Sequence, residues 1–142
     1  MIRLACLILA AGLAGTAAAA PADIEGRWLS GDGDGLVEIR LAGDGLTGVV
    51  LGSPDDDPDR PDTDIHNPDP ALRERPLKGL PIFEGFRYEG NGLWSGGTIY
   101  DPNSGNSYRA TIQVLDRNTL KLRGYIGIPL FGRTETWRRD TD

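Results

Sequence analysis

From Trp94 to Tyr108 the chain reads WSGGTIYDPNSGNSY, a stretch that admits little besides two antiparallel strands joined by a tight turn. Ile99 and Tyr100 suit a pleated surface. Asp101, Pro102, Asn103, Ser104 and Gly105 each favour a turn for a separate backbone reason. Gly96 and Gly97, inside the first strand, predict a bulge, a sharp bend or a close backbone approach.

The same grammar recurs along the chain. Glu25–Ser30 carries Trp28 in a short strand. In Leu36–Leu41, Val37, Ile39 and Leu41 alternate with Glu38 and Arg40, the period of a half-buried strand. Gly43-Asp44-Gly45 turns the chain into a third strand at Leu46–Leu51. Further strands are predicted at Ile82–Tyr88, Leu93–Tyr100, Ser107–Leu115, Leu120–Tyr125 and Arg133–Arg139. Twenty glycines and ten prolines in 142 residues fit many turns and little helix. No strand–helix–strand alternation is present, so a parallel sheet is not expected. Eight short antiparallel strands point to an all-β, up-and-down barrel, which removes sticky edges; a sandwich is the alternative. Eight strands enclose room for packed side chains or one small ligand.

Gly52–Pro81 interrupts the pattern. Its first half, the acidic loop 52–68, holds Asp55, Asp56, Asp57, Asp59, Asp62 and Asp64 among prolines and reads as an extended, solvated loop. Its second half carries one helical signal: Asp69 as N-cap, Pro70 at the first position, then Ala71–Arg75 until Pro76 stops it. One short helix in a long loop is therefore expected.

Residues 1–20 form a secretory signal peptide: Arg3, an apolar run from Leu4, then small residues, with cleavage between 19 and 22. The apolar run is too short to span a membrane. A single β domain over 23–142 is left, exported to the periplasm or secreted. The only cysteine, Cys6, lies within the signal, so the mature chain has no thiol, disulfide or thiolate metal site. Removing Arg3 from the 15 Lys+Arg leaves 14 against 21 Asp+Glu, a formal charge of −7. That charge offers no footprint for nucleic acid or anionic lipid.

Four ordered blocks resemble a bacterial family of exported proteins known as domain of unknown function 2147. They are Gly26-x-Trp28, HNPDPALRERPLKGL (66–80), WSGGTIYDPNSGNSY (94–108) and LRGYIGIPLFGRTETW (122–137). The resemblance implies a lipocalin-like (calycin-type) eight-stranded barrel and no established activity. In such barrels a G-x-W tryptophan plugs the closed end under an arginine from the last strand. Trp28 fits this role, with Arg138 or Arg139 as the cation; Arg139 is favoured because it shares a face with Trp137. Such packing is worth about 0.5–2 kcal/mol.

Catalytic chemistry has little to stand on. His66 is the only histidine and has no nucleophile beside it. Asp55-x-Asp57-x-Asp59 has odd calcium-loop spacing but lacks the glycine and the final glutamate such a loop needs. Trp94-Ser95-Gly96-Gly97 is not a nucleophile elbow. A hydrolase using Asp101 and His66 is the weakest reading, and no catalytic residue, cofactor or metal is expected. The aromatic set is more informative. Trp94, Tyr100, Asp101, Tyr108, Tyr125 and Phe131 are the candidate ligand-binding residues, at an open end near 124–132 and 64–80. The bland alternatives are that the rings fill the core and that Asp101 caps its own turn. The expected partner is a small, partly apolar molecule; the second reading is a filled barrel acting as a protein-interaction or envelope-maintenance module, its surface for an envelope protein being the apolar 126–131 loop and the 69–80 helix.

Overall fold

A computed structural model describes residues 20–55, 57–128 and 132–141. Most of the expected signal peptide and the candidate Phe131 lie outside the described residues. The elements are β1 (Gly26–Leu29), β2 (Leu36–Ala42), β3 (Gly45–Gly52), β4 (Phe83–Glu84), β5 (Arg87–Gly90), β6 (Leu93–Asp101), β7 (Asn106–Asp116), β8 (Thr119–Tyr125) and β9 (Arg133–Arg139). They form one antiparallel sheet in the order β3-β2-β1-β9-β8-β7-β6-β4, with β5 also on β6.

The sheet curls into a nearly closed, eight-column barrel. β4 and β5 occupy one column, because the expected Ile82–Tyr88 strand breaks at Gly85-Phe86 and its two halves pair with different parts of β6. Phe86 turns inward at the break and its ring fills the space that Gly97 leaves free, so the second glycine of the Trp94–Tyr108 motif serves a close approach. The first, Gly96, sits in a bulge that shifts register between Trp94 and Gly97. The barrel closes where Val50 donates to the Leu80 carbonyl (2.9 Å) and Ile82 donates to Gly48 (2.8 Å). A second seam, between β1 and β9, is paired over only Trp28–Leu29 and Arg138–Arg139.

Alternation carries the core. Val37 and Ile39 on β2, Ala110, Ile112 and Val114 on β7, and Leu120 and Leu122 on β8 are all buried on the inner face. Phe83 packs on Phe86 (5.3 Å between centroids) and near Trp137 (6.1 Å). The expected short helix is only a single 3₁₀ turn, Pro70–Leu72, preceded by a strandlike Asp69 whose carboxylate accepts from Ala71 N–H (3.0 Å). The signal was sound but Arg73 and Arg75 are drawn elsewhere: Arg73 Nε donates to the Asn67 carbonyl (2.8 Å), and Arg75 to Asp64. Among the described residues no helix is long and apolar enough to cross a membrane.

Candidate functional site at the open end of the barrel

The two ends of the barrel differ. At one end the 3₁₀ turn Pro21–Ile24 leads into β1, and Trp28 is fully buried, its indole N–H donating to the Ile24 carbonyl (2.9 Å). Arg139 lies over the Trp28 ring, 4.2 Å from its centroid. Its guanidinium donates to the carbonyls of Glu25 (2.7 Å), Asp23 (2.8 Å) and Arg117 (2.6 Å). Gly26 is required here: its φ is +137°, and a Cβ would collide with Arg139 Nη1. Burial lowers the Arg139 pKa, and the three carbonyls and the ring face supply compensating negative potential. This end is sealed.

The opposite end is built from the 30–35 turn, the 53–82 excursion and the 102–105 turn. Here Asp64, expected in a solvated loop, is fully buried. Its Oδ1 accepts from the Tyr100 hydroxyl (2.6 Å). Its Oδ2 accepts from Asn67 Nδ2 (2.8 Å) and from Arg75 through Nε and Nη2 (2.9 Å each). Burial pushes the Asp64 carboxyl up, but these hydrogen bonds and the Arg75 charge outweigh it and hold the pKa below the usual carboxylate range. Burial, then the Asp64 hydrogen bond and charge, push the Tyr100 hydroxyl up to about 12. Arg75 also lies 5.6 Å from the Tyr100 ring centroid. The carboxylate is saturated and the phenol is kept protonated, so the group is a clasp and a poor acid–base pair. Gly105, with φ +74°, lies directly on the His66 carbonyl, where a Cβ could not fit. The 66–80 and 94–108 motifs are therefore one interlocked unit.

The candidate ligand residues separate by face. Trp94 points inward and is 2% exposed, packed at a tilt against Tyr88 with ring centroids 4.9 Å apart. Tyr108 shares the inner face with Ala110 and Ile112, and its hydroxyl lies 3.3 Å from Ser104 Oγ. Tyr100 pairs with Ser107 and Tyr125 with Arg109, so both stand on the outer face. Asp101 caps its own turn, accepting from Asn103 N–H and Ser104 Oγ (2.9 Å each). The structure thus brings Trp94 and Tyr108 to the interior and places Tyr100, Asp101 and Tyr125 elsewhere. Asp64, Asn67 and Arg75 were missed as site residues, because Asp64 looks like its acidic neighbours and its partner Tyr100 is 36 positions away.

Glu135 is the other unforeseen member. It pairs with Leu122 on the inner face, yet is exposed, and accepts from the Trp137 indole (3.2 Å). It borders a groove of about 390 Å³ along the part of β9 that β1 leaves unpaired, between Gly31-Asp32 and Arg133–Thr136. The acidic loop's charge is gathered on Arg60, which pairs with Asp34 (2.8 Å), Asp55 (3.2 Å) and Asp57 (3.8 Å). Among the described residues no three His, Cys, Asp or Glu side chains are placed to hold a metal ion.

Comparison with known proteins agrees with this architecture. A family described as an uncharacterized protein conserved in bacteria matches residues 26–139. A solved structure from Helicobacter pylori, described as a protein belonging to the lipocalin family, superposes with a TM-score of 0.73. It is 22% identical, and 83% of each chain is covered. No curated protein matches the chain.

Proposed function

The chain belongs to the domain of unknown function 2147 family, and from that premise we propose that it binds a small, partly apolar molecule, without catalysis, in the bacterial cell envelope. The observation that carries the reading is the asymmetry of a lipocalin-like barrel. Trp28 is fully buried under Arg139 at one end. At the other, Glu135 on the inner face is open to water, and Tyr108, near the start of β7, is half-buried. A barrel closed at one end and open to water at the other supports a small-ligand site at the open end, where burial of apolar surface supplies affinity and a few polar groups orient. The envelope location rests on the signal-like first twenty residues.

A second reading keeps the barrel filled and makes it an interaction module for an envelope protein. Its support is the exposure of Ile126 (66%) and Ile128 (52%) beyond β8. Native mass spectrometry on protein exported by its own signal separates the two. A reproducible added mass that is lost on denaturation supports the carrier. A bare mass, with no thermal shift against lipids and metabolites, moves the assignment to the interaction module.

A further inference from the structure

The three tryptophans of this chain all lie in the barrel and are 5% exposed or less. Two have their indole N–H satisfied within the chain: Trp28 by the Ile24 carbonyl and Trp137 by Glu135. The third, Trp94, does not. Its Nε1 is the buried side-chain polar atom without a hydrogen-bond partner among the described residues. A buried donor left unpaired is costly, and native proteins tolerate it chiefly where something outside the chain completes it.

The position of Trp94 suggests what completes it. On the inner face Trp94 pairs with Ile112, Ile112 with Leu122, and Leu122 with Glu135. The row begins at the buried Trp94 and ends at the exposed Glu135. Its two intervening members, Ile112 and Leu122, are aliphatic. The ring is held from behind by Tyr88, whose own hydroxyl is taken by the Gly92 N–H (3.0 Å). Trp94 therefore carries one unsatisfied, neutral donor in a row whose next two members are aliphatic.

Resting on the binding reading above, we propose that the barrel takes a neutral, mostly apolar ligand bearing one carbonyl-type oxygen, which accepts a hydrogen bond from Trp94 Nε1. A carboxylate does not suit this position. One neutral donor cannot replace the hydration of a full charge, and the charged inner-face residue of the same row, Glu135, is itself an acid.

The test uses the full mature protein, 15N-labelled, with 2-octanone, octane and octanoate as probes; Trp94→Phe assigns the indole signal and removes the donor while keeping a ring. The expected result has three parts. 2-Octanone moves the Trp94 indole proton downfield and leaves those of Trp28 and Trp137 in place. W94F lowers the affinity for 2-octanone relative to that for octane roughly 2- to 12-fold, the range of one hydrogen bond. Octanoate does not shift the indole. If 2-octanone perturbs interior methyl signals but neither moves the indole nor loses affinity relative to octane in W94F, the donor role is overturned while the binding reading stands. If no probe perturbs the interior, both fall. Should W94F fail to fold, the wild-type contrast between 2-octanone and octane at the indole decides the matter.

Discussion

The Tyr100 hydroxyl donates to Asp64 Oδ1 at 2.6 Å, a side-chain bond that ties the middle of the long excursion to the barrel wall. Tyr100 stands on β6, whereas Asp64 lies on a segment that is otherwise turn and coil. Arg75 and Asn67, from the same excursion, complete the carboxylate's partners. Tyr100→Phe removes one hydrogen bond to a charged group, so it should destabilise by about 1.5–3 kcal/mol. Asp64→Ala should cost more, because it strips the Tyr100 hydroxyl, the Asn67 amide and Arg75 of their shared acceptor. The double variant should cost less than the sum of the two, since both remove the same bond. Urea unfolding of the three proteins checks this; strict additivity would mean that the clasp is not a unit.

The same pair fixes two pH limits. Asp64 is held below the usual carboxylate pKa in the folded state. Its contribution is thus present above the unfolded value of about 4 and is lost as pH falls through the folded one. Tyr100 is raised to about 12. Its contribution is present below the unfolded value of about 10 and is lost as pH rises from there to about 12. Stability measured against pH should therefore fall off below about pH 4 and above about pH 10. Tyr100→Phe should flatten the alkaline limb selectively; an unchanged alkaline limb would refute the assignment.

How much of this was legible follows from range. The strands could be read because alternation is local: Val37, Ile39 and Leu41 declare a buried face without knowing their partners. The plug could be read only through resemblance, and Gly26 shows its physical content, since the arginine occupies the space of the missing side chain. The break at Gly85-Phe86 was not legible, because it depends on space left by Gly97 on the neighbouring strand. Asp64 was not legible either. Nothing near it distinguishes it from Asp55, Asp57 or Asp59, which stay in water. The outward placement of Tyr100 turned on a register that the bulge between Trp94 and Gly97 resets, whereas Tyr108 follows the plain alternation of Ala110, Ile112 and Val114 on β7.

Gly105 provides a control on the interlock of the two motifs. Gly79 and Gly105 both have left-handed φ, +87° and +74°, but nothing lies within 4 Å of a Cβ at Gly79, whereas one at Gly105 meets the His66 carbonyl. Gly79→Ala should cost about 1–2 kcal/mol, the backbone term alone. Gly105→Ala carries that term plus a clash with main chain that cannot rotate away. It should cost clearly more and should raise the proteolytic sensitivity of the 62–80 segment. Equal costs for the two would mean that the 66–80 segment yields freely and is not locked to the turn.

The sealed and unsealed tryptophans should respond differently to the same substitution. Trp28→Phe breaks the bond to the Ile24 carbonyl and shrinks the platform under Arg139. The loss of a satisfied buried bond and part of a cation–π contact predicts about 2–3 kcal/mol of destabilisation. Trp94→Phe removes a donor that has no partner among the described residues. The smaller ring leaves a void, which destabilises, but removing the unpaired N–H recovers about 1–3 kcal/mol. These terms oppose each other, so the ligand-free W94F protein should lie within about 1 kcal/mol of the parent. Urea unfolding of both variants, stripped of any carried ligand, measures the difference directly. If W94F is as damaging as W28F in the stripped protein, the Trp94 N–H is already satisfied, for instance by a buried water, and is not waiting for a ligand oxygen.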